Sequence, residues 1–362
     1  MQYNAGTATV KLHNLDGALD PYVIEQAGYD APGVVIRIRV THNEITYPVF
    51  SGFVDSWIPD QTGPSLGWVT ISATDGFSRL NTHLEEAAVA VGAGENLRSR
   101  IIRLLDAAGW PADMRVLGAQ SSVTVQATTF GGSALDLIQE AVKAEIGDFY
   151  MQPDGKAYFR HRRSVIAETR STVSQVTFGS RRDLGEIPWV DKIELSWDRT
   201  TLKNKVIAGI AGSDNRMIAQ DADSIGRYGL YAVEETGLIL TTDEAAQNWA
   251  NAVMRQDSRP EMRFESITLN GALDDTLGIP VIQHMLGRRM GDRITVVRRP
   301  PAQPAGSIVD SREVLIRGIS HEWSASSKQL ITKFALAPTD KVPWFILGSP
   351  TQGVLGQNAL PY

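Results

Sequence analysis

Apolar and polar residues alternate through most of the first ninety positions. "TATVKLHN", "GVVIRIRVTH", "TYPVFSGFVDSWIP" and "LGWVTISATD" are rich in Val, Ile, Thr and aromatic residues, and stretches of each follow the two-residue period of strands with one covered face. Turn residues separate them at Asp16-Gly17, Ala31-Pro32-Gly33 and Asp60 to Pro64. Residues 1-92 are predicted to form an all-β unit, barrel or sandwich.

The period changes at Gly92. "GENLRSRIIRLLDAAGWP" puts Leu97, Ile101, Leu104, Leu105 and Ala108 on one helical face, and Gly109 with Pro111 ends the helix. A short strand, "SSVTVQATTF", leads to a second helix in "GGSALDLIQEAVKAEIG". Ser133 and Asp136 cap its start, Leu137, Ile138, Ala141 and Val142 form its apolar face, and Gly147 stops it. "DFYMQPDGKAYFRHR" reads as a hairpin turning at Pro153-Asp154-Gly155. Residues 93-182 are thus an inserted α+β module. Residues 183-260 bring returning strands and a linking helix, "TTDEAAQNWANAVMRQ", with Thr241 and Glu244 as its capping box and Pro260 just past its end. Residues 261-337 are strands again. The last stretch, 338-362, has Pro and Gly at short intervals yet keeps Trp344, Phe345, Ile346 and Leu347; it is read as an extended arm that lies on something.

A repeat runs through this pattern. "NLDGALD" after the first strand returns as "LNGALDD" at residues 269–275. Gly33 opens "VVIRIRV" as Gly291 opens "DRITVV", "FSGFVDSW" faces "IRGISHEW", and "WVTISATD" faces "QLITKFALAP". Differences in spacing fall in loops, where length costs little. The order predicts two similar β-barrel domains in one chain, so a trimer would present six similar barrels around an axis.

Composition narrows the function. Of 362 residues, 43% are hydrophobic and 21% charged, which is ordinary for a globular protein with sizeable cores. No apolar run approaches the ~20 residues of a membrane span, and "MQYNAGTATV" lacks a secretory signal, so the expectation is synthesis and retention in a cytoplasm. The absence of cysteine excludes disulfides, thiol catalysis and thiolate zinc sites. A net charge of −6 argues against a general nucleic-acid binder, and the Arg doublets at 162, 181, 288 and 298 are expected to be solvated or paired with acidic neighbours.

Motifs for chemistry fail one by one. His13, His42, His83, His161, His284 and His321 are scattered and form no metal-binding helix pattern. "VGAGENL" has Leu97 where a dinucleotide loop needs its third Gly, and "GGSALDL" has Leu135 where a nucleophile elbow needs its closing Gly. Asn14, Asp16 and Asp20 imitate a calcium loop that is too short and lacks the terminal Glu. Asp221 and Asp223 sit in a common loop pattern. Trp57, Trp68, Trp323 and Trp344 are candidate sugar platforms, although strand positions favour packing. No residue is nominated as catalytic, cofactor-binding or metal-ligating, and the chain is not read as an enzyme.

"ATVKLHNLDGALDP", "YPVFSGFVDSW" and "VTISATDGFSRL" resemble the start of minor tail proteins of long-tailed bacteriophages. "SIGRYGLYAVEE", the helix through Ala245, Ala246 and Trp249, "SRPEMRFESITL", "LGRRMGDRITVV" and "VLIRGISHEW" with "LITKFALAP" resemble the later half of phage tail hub proteins. The resemblance covers residues 8 to 337. It implies an α+β, mainly β fold with two tube-type β-barrels per subunit, closing as a homotrimer into a pseudo-six-fold ring around the tail channel. It further implies a baseplate or tail-tip location in the virion. The implied partners are a distal tail protein ring, a tape-measure protein and tail-tip or fibre proteins, with genome DNA as cargo that is not read by sequence. Such hubs often continue into a lysin or receptor-binding region; the chain reaches Tyr362 without one, which favours a dedicated scaffold. Two other readings are a receptor- or carbohydrate-binding tail-tip module and a tail-associated peptidoglycan hydrolase.

Overall fold

The computed structural model of the chain describes residues 3–28, 32–61, 67–86, 89–119, 123–188, 192–272, 280–300 and 309–339. The arm expected at 338-362 therefore lies almost wholly outside the described residues. Two compact units emerge: Met1–Arg162 with Ile239–Thr241, and Arg163–Leu238 with Thr242–Tyr362.

The first unit begins with β1 (Thr7–His13), a short helix α1 (Pro21–Gln26), β2 (Val35–His42), β3 (Ile45–Gln61) and β4 (Gly67–Thr74). They form an antiparallel sheet in the order β1-β4-β3-β2. Alternation sets its faces: Val69, Ile71 and Ala73 of β4 are buried, and Val10 stands opposite Ile71. Val54, Val69 and Ile71 make the centre, with Leu19, Ile36 and Trp57 packed on it. The turn after β1 exists to deliver Leu19. Asn14 Oδ1 accepts from the Leu19 N–H at 2.8 Å, and the Trp57 indole donates to the Leu19 carbonyl at 2.9 Å.

The insert follows the predicted periodicity. Helix α2 (Leu97–Ala107) is capped by Asn96 and buries Leu97, Ile101, Leu104 and Leu105; helix α3 (Ala134–Glu145) is capped by Ser133. Its left-handed closing residue is Ile146, not Gly147. The hairpin joins Asp148–Met151 to Ala157–Arg160 with Gly155 at its turn, and Arg115–Leu117 adds a parallel third strand. Leu240 bridges to Val125, and Gln126 N–H donates to the Ile239 carbonyl at 2.8 Å, so three residues from far downstream complete this unit.

The second unit contributes β5 (Thr177–Gly179), β6 (Ile187–Pro188), β7 (Lys192–Trp197), a helix α4 (Asp243–Asp257), β8 (Met262–Asn270), α5 (Val281–Gly287), β9 (Arg293–Arg298), β10 (Asp310–Ser324) and β11 (Gln329–Pro338). Its seven-stranded sheet has the order β6-β5-β9-β10-β11-β8-β7. The strands Lys205–Ile210, Met217–Gln220 and Ala232–Leu238 form a separate sheet against α4. The cap of α4 is Thr242, whose hydroxyl accepts from Ala245 N–H; Thr241, the predicted cap, instead bonds the Thr124 hydroxyl at 2.6 Å.

Inside the seven strands, β8-β11-β10-β9 repeats the order β1-β4-β3-β2. The likeness reaches individual bonds. Gly33 N–H donates to Val54 O at 2.7 Å, as Gly291 N–H does to Ile316 O at 2.7 Å; Asn14 N–H donates to Gly67 O at 2.8 Å, as Gly271 N–H does to Leu330 O at 2.8 Å. The ladders slip at the same place, between Val54 and Ser56 and between Ile316 and Gly318. These bonds correct the sequence register. Gly271 stands at Asn14 rather than Gly17, and Gly318 stands at Ser56 rather than Gly52. Gly17 has a left-handed φ of 73°, and Gly271, which continues the ladder, does not. Among the described residues neither sheet closes on itself: β1 and β2 are the edges of the first, β6 and β7 of the second. Two full barrels are thus not formed by these strands alone.

Candidate functional site

The motifs that imitate chemistry are consumed by local structure. Asn14, Asp16 and Asp20 each accept a backbone N–H, from Leu19, Ala18 and Tyr22 at 2.8, 3.1 and 3.0 Å. These are turn and cap bonds, which leave no convergent oxygen cage. In "VGAGENL" the Glu95 carboxylate takes Arg103 and Arg100, and this pairing holds it below its ordinary pKa although burial opposes the shift. The loop therefore carries its own anion where a phosphate would be held. Ser133 Oγ accepts from Asp136 N–H and donates to Asn81 Oδ1 at 3.0 Å, leaving no base beside it. Asp221 accepts from Ser224 N–H at 2.9 Å as the cap of Ala222–Tyr228.

The histidines are apart. His13 stacks on Trp68 with centroids 3.5 Å apart, His284 meets Phe178 edge-on at 6.5 Å, and His321 Nδ1 shares a 2.8 Å bond with Thr332 Oγ1. Burial pushes His321 down to about 4, so it is neutral near pH 7. Among the described residues no three His, Asp or Glu side chains stand together as metal ligands. The Arg doublets divide. Arg181 pairs with Asp183, and Arg299 reaches both oxygens of Glu186, as expected; two buried nitrogens of Arg288 have no hydrogen-bond partner among the described residues.

What remains open is surface and edge. In the first unit β2 has no buried residue: Ile36, Ile38 and Val40 are half-buried on one face, while Val35, Arg37, Arg39 and Thr41 are exposed on the other. No strand pairs with its outer side among the described residues, nor with that of β1. Helix α1 buries nothing, and Leu15 and Tyr22 are 65% and 66% exposed. Apolar surface at a free sheet edge is the usual mark of a place where another chain adds on.

The second unit differs. Helix α5 buries Val281, Met285 and Leu286, and Phe178 of β5 is fully buried against Phe334, centroids 6.1 Å apart. A polar ladder stiffens the other flank. Glu194 of β7 accepts from Ser266 at 2.6 Å, Lys192 at 2.8 Å and Lys333 at 2.9 Å, which holds its carboxyl down to about 2. Among the described residues two tryptophans are left facing solvent, Trp197 at 79% and Trp323 at 63% exposure. Trp323 thus escapes the packing expected of a strand residue. The edges of the first sheet were not marked in the sequence by any motif; the missing signal is a flanking strand, which pattern alone cannot register.

No protein-family model matches the chain, and no curated protein matches it. Among solved structures it is similar to the tail protein from Neisseria meningitidis MC58, at 14% identity over 92% of this chain and 88% of that one, with a TM-score of 0.59. It is similar also to the 43 kDa tail protein of prophage MuSo2 from Shewanella oneidensis, at 13% identity over 93% and 91%, with a TM-score of 0.57. Identities this low carry fold alone. The chain has a tail-protein fold, mainly β with α+β insertions, and the resemblance read from its sequence is met at that level.

Proposed function

We propose that the protein is a structural virion subunit: the trimeric hub of a bacteriophage tail tip or baseplate, without enzymatic activity. The observation that carries this reading is the four-stranded unit that occurs twice with the same order, the same bulge and the same backbone bonds. Two units per chain and three chains give six similar units about one axis, which matches a six-fold tube above while the three insertions address three-fold partners below. The distal tail protein ring and tape-measure protein are the partners on the tube side, and tip or fibre proteins those beyond. Genome DNA passes as cargo. A permanent ring contact of this kind buries upwards of ~2,000 Å². The native mass of the purified protein tests the reading: a trimer with a central hole in images supports it, and a monomer at high concentration refutes a self-assembling hub.

Trp197 and Trp323 favour a second reading, a carbohydrate- or receptor-binding module at the tail tip, because exposed indoles are stacking platforms for sugars. It predicts saturable binding of the isolated protein to host cells, lost in a Trp197→Ala, Trp323→Ala variant.

A further inference from the structure

The second sheet displays in one chain what the first lacks. β5 lies parallel on the outer edge of β9, with Thr177 opposite Thr295 and Phe178 opposite Val296. Phe178 fills the sheet's apolar side, touching Phe334 of β11 and His284 of α5. By the shared bonds, Val296 of β9 corresponds to Ile38 of β2, and α5 corresponds to α1. Among the described residues the first sheet therefore has the receiving edge, the half-buried Ile36 and Ile38, and the uncovered helix, but no inserted strand and no aromatic plug.

We propose that the edge of β2 receives the segment Val342–Leu347 of a neighbouring copy of this chain, added parallel to β2 with an apolar side chain opposite Ile38. This rests on the ring reading above, which brings copies side by side. Three observations select the segment. "VPWFIL" is the longest apolar run outside the described residues. It ends Leu347-Gly348-Ser349, as the plug strand ends Phe178-Gly179-Ser180. Finally, β11 ends at Pro338, and a chain of nine residues can reach at most ~30 Å, a length that would let Leu347 lie beyond its own sheet. The added strand pairs with the outward N–H and C=O groups of β2, and its apolar residues cover Ile36, Ile38 and α1.

The chain has no cysteine, so cross-linking reads cleanly. Two differently tagged full-length chains are co-expressed, one carrying Arg37→Cys and the other either Phe345→Cys or Ile346→Cys. Alternate strand residues face opposite ways, so one arm position is expected to cross-link and its neighbour is not. The expected result is a disulfide-linked pair of unlike tags at least ten-fold above an Asp214→Cys control, together with hydrogen exchange at Val35–His42 that speeds at least ten-fold when residues 341–362 are removed, Arg293–Arg298 being unchanged. A trimeric native mass with cross-linking no higher than the control overturns this inference and leaves the ring intact. A monomeric native mass overturns both.

Discussion

The two four-stranded units teach by their difference. Their backbones agree in order, bulge and hydrogen bonds, yet among the described residues one is flanked and covered and the other is bare-edged. In the second, β5 brings Phe178 to full burial and β7 knits its flank through Glu194. In the first, the corresponding helix buries nothing and Val35, Ile45 and Ile58 stay exposed. Same-sheet pairing therefore sets the topology, while the flanking strands decide whether the apolar face is an internal core or a surface left for another chain. The largest test of this contrast is Phe178→Ala. Loss of a fully buried ring from a packed site is expected to cost ~3–5 kcal/mol and to expose Arg293–Arg298 to hydrogen exchange, with β1 to β4 unaffected. Equal exchange in both sheets would mean that the flanking strand is not what closes the second.

The glycines at the corrected register give a slightly smaller, local contrast. A Cβ at Gly52 would lie 2.4 Å from the Thr74 carbonyl oxygen, a backbone atom that cannot turn aside; one at Gly318 would lie 3.3 Å from the Ala335 Cβ. Gly52→Ala is expected to destabilise by ~3 kcal/mol and Gly318→Ala by no more than ~1. Urea unfolding of the two variants checks the ranking. If the two glycines were true equivalents, as the sequence alignment of "FSGFVDSW" with "IRGISHEW" has it, the costs would match.

That misalignment marks how far the sequence could be read. Strand alternation, the two helices of the insert and their caps at Asn96 and Ser133, the hairpin at Gly155 and the existence of a repeat were all legible, because each rests on local periodicity or turn chemistry. Register was not. Gly-Ala-Leu-Asp recurs three residues out of step, since β1 continues its ladder through Asn14 whereas β8 continues through Gly271. Turn phrases are common enough to recur near strand ends without marking the same bond. Nor was the division of residues 185–212 legible: Lys192–Trp197 extends the second sheet, while Lys205–Ile210 joins another, and both are equally strand-like in sequence. The candidate surface was invisible for a related reason. An edge is defined by the strand that is absent from it, and no residue of β2 records that absence.

Acid separates the units with the smallest and most specific effect. In the first, burial outweighs two backbone bonds and lifts Asp75 from 3.8 to about 6; Glu140 is raised by burial as well. The folded unit then binds protons there that the unfolded chain does not, so these two groups favour it as pH falls from about 6 toward 3.8, against a loss from Glu95, held low by Arg103 and Arg100, that sets in near its ordinary 4.5. In the second, His321 is lowered from 6.5 to about 4 by burial, and His284 is lowered by burial and by Arg288 beside it. There the unfolded chain binds the protons, so stability is lost as pH falls from about 6.5 toward 4. At pH 5, relative to pH 7, the linkage amounts to a loss of ~2 kcal/mol from His321 and a gain of ~1 kcal/mol from Asp75. The carboxylates held low in the second unit, Asp183, Glu186, Glu194, Asp198 and Asp221, join its loss only at lower pH. Hydrogen exchange corrected for intrinsic rates should show β8 to β11 loosening at pH 5 while β1 to β4 tighten. His321→Gln removes its part of the loosening, because the pair it makes with Thr332 is retained by an uncharged side chain that cannot take up the proton. A second unit that loosens as much in His321→Gln as in the parent chain would place the acid response elsewhere.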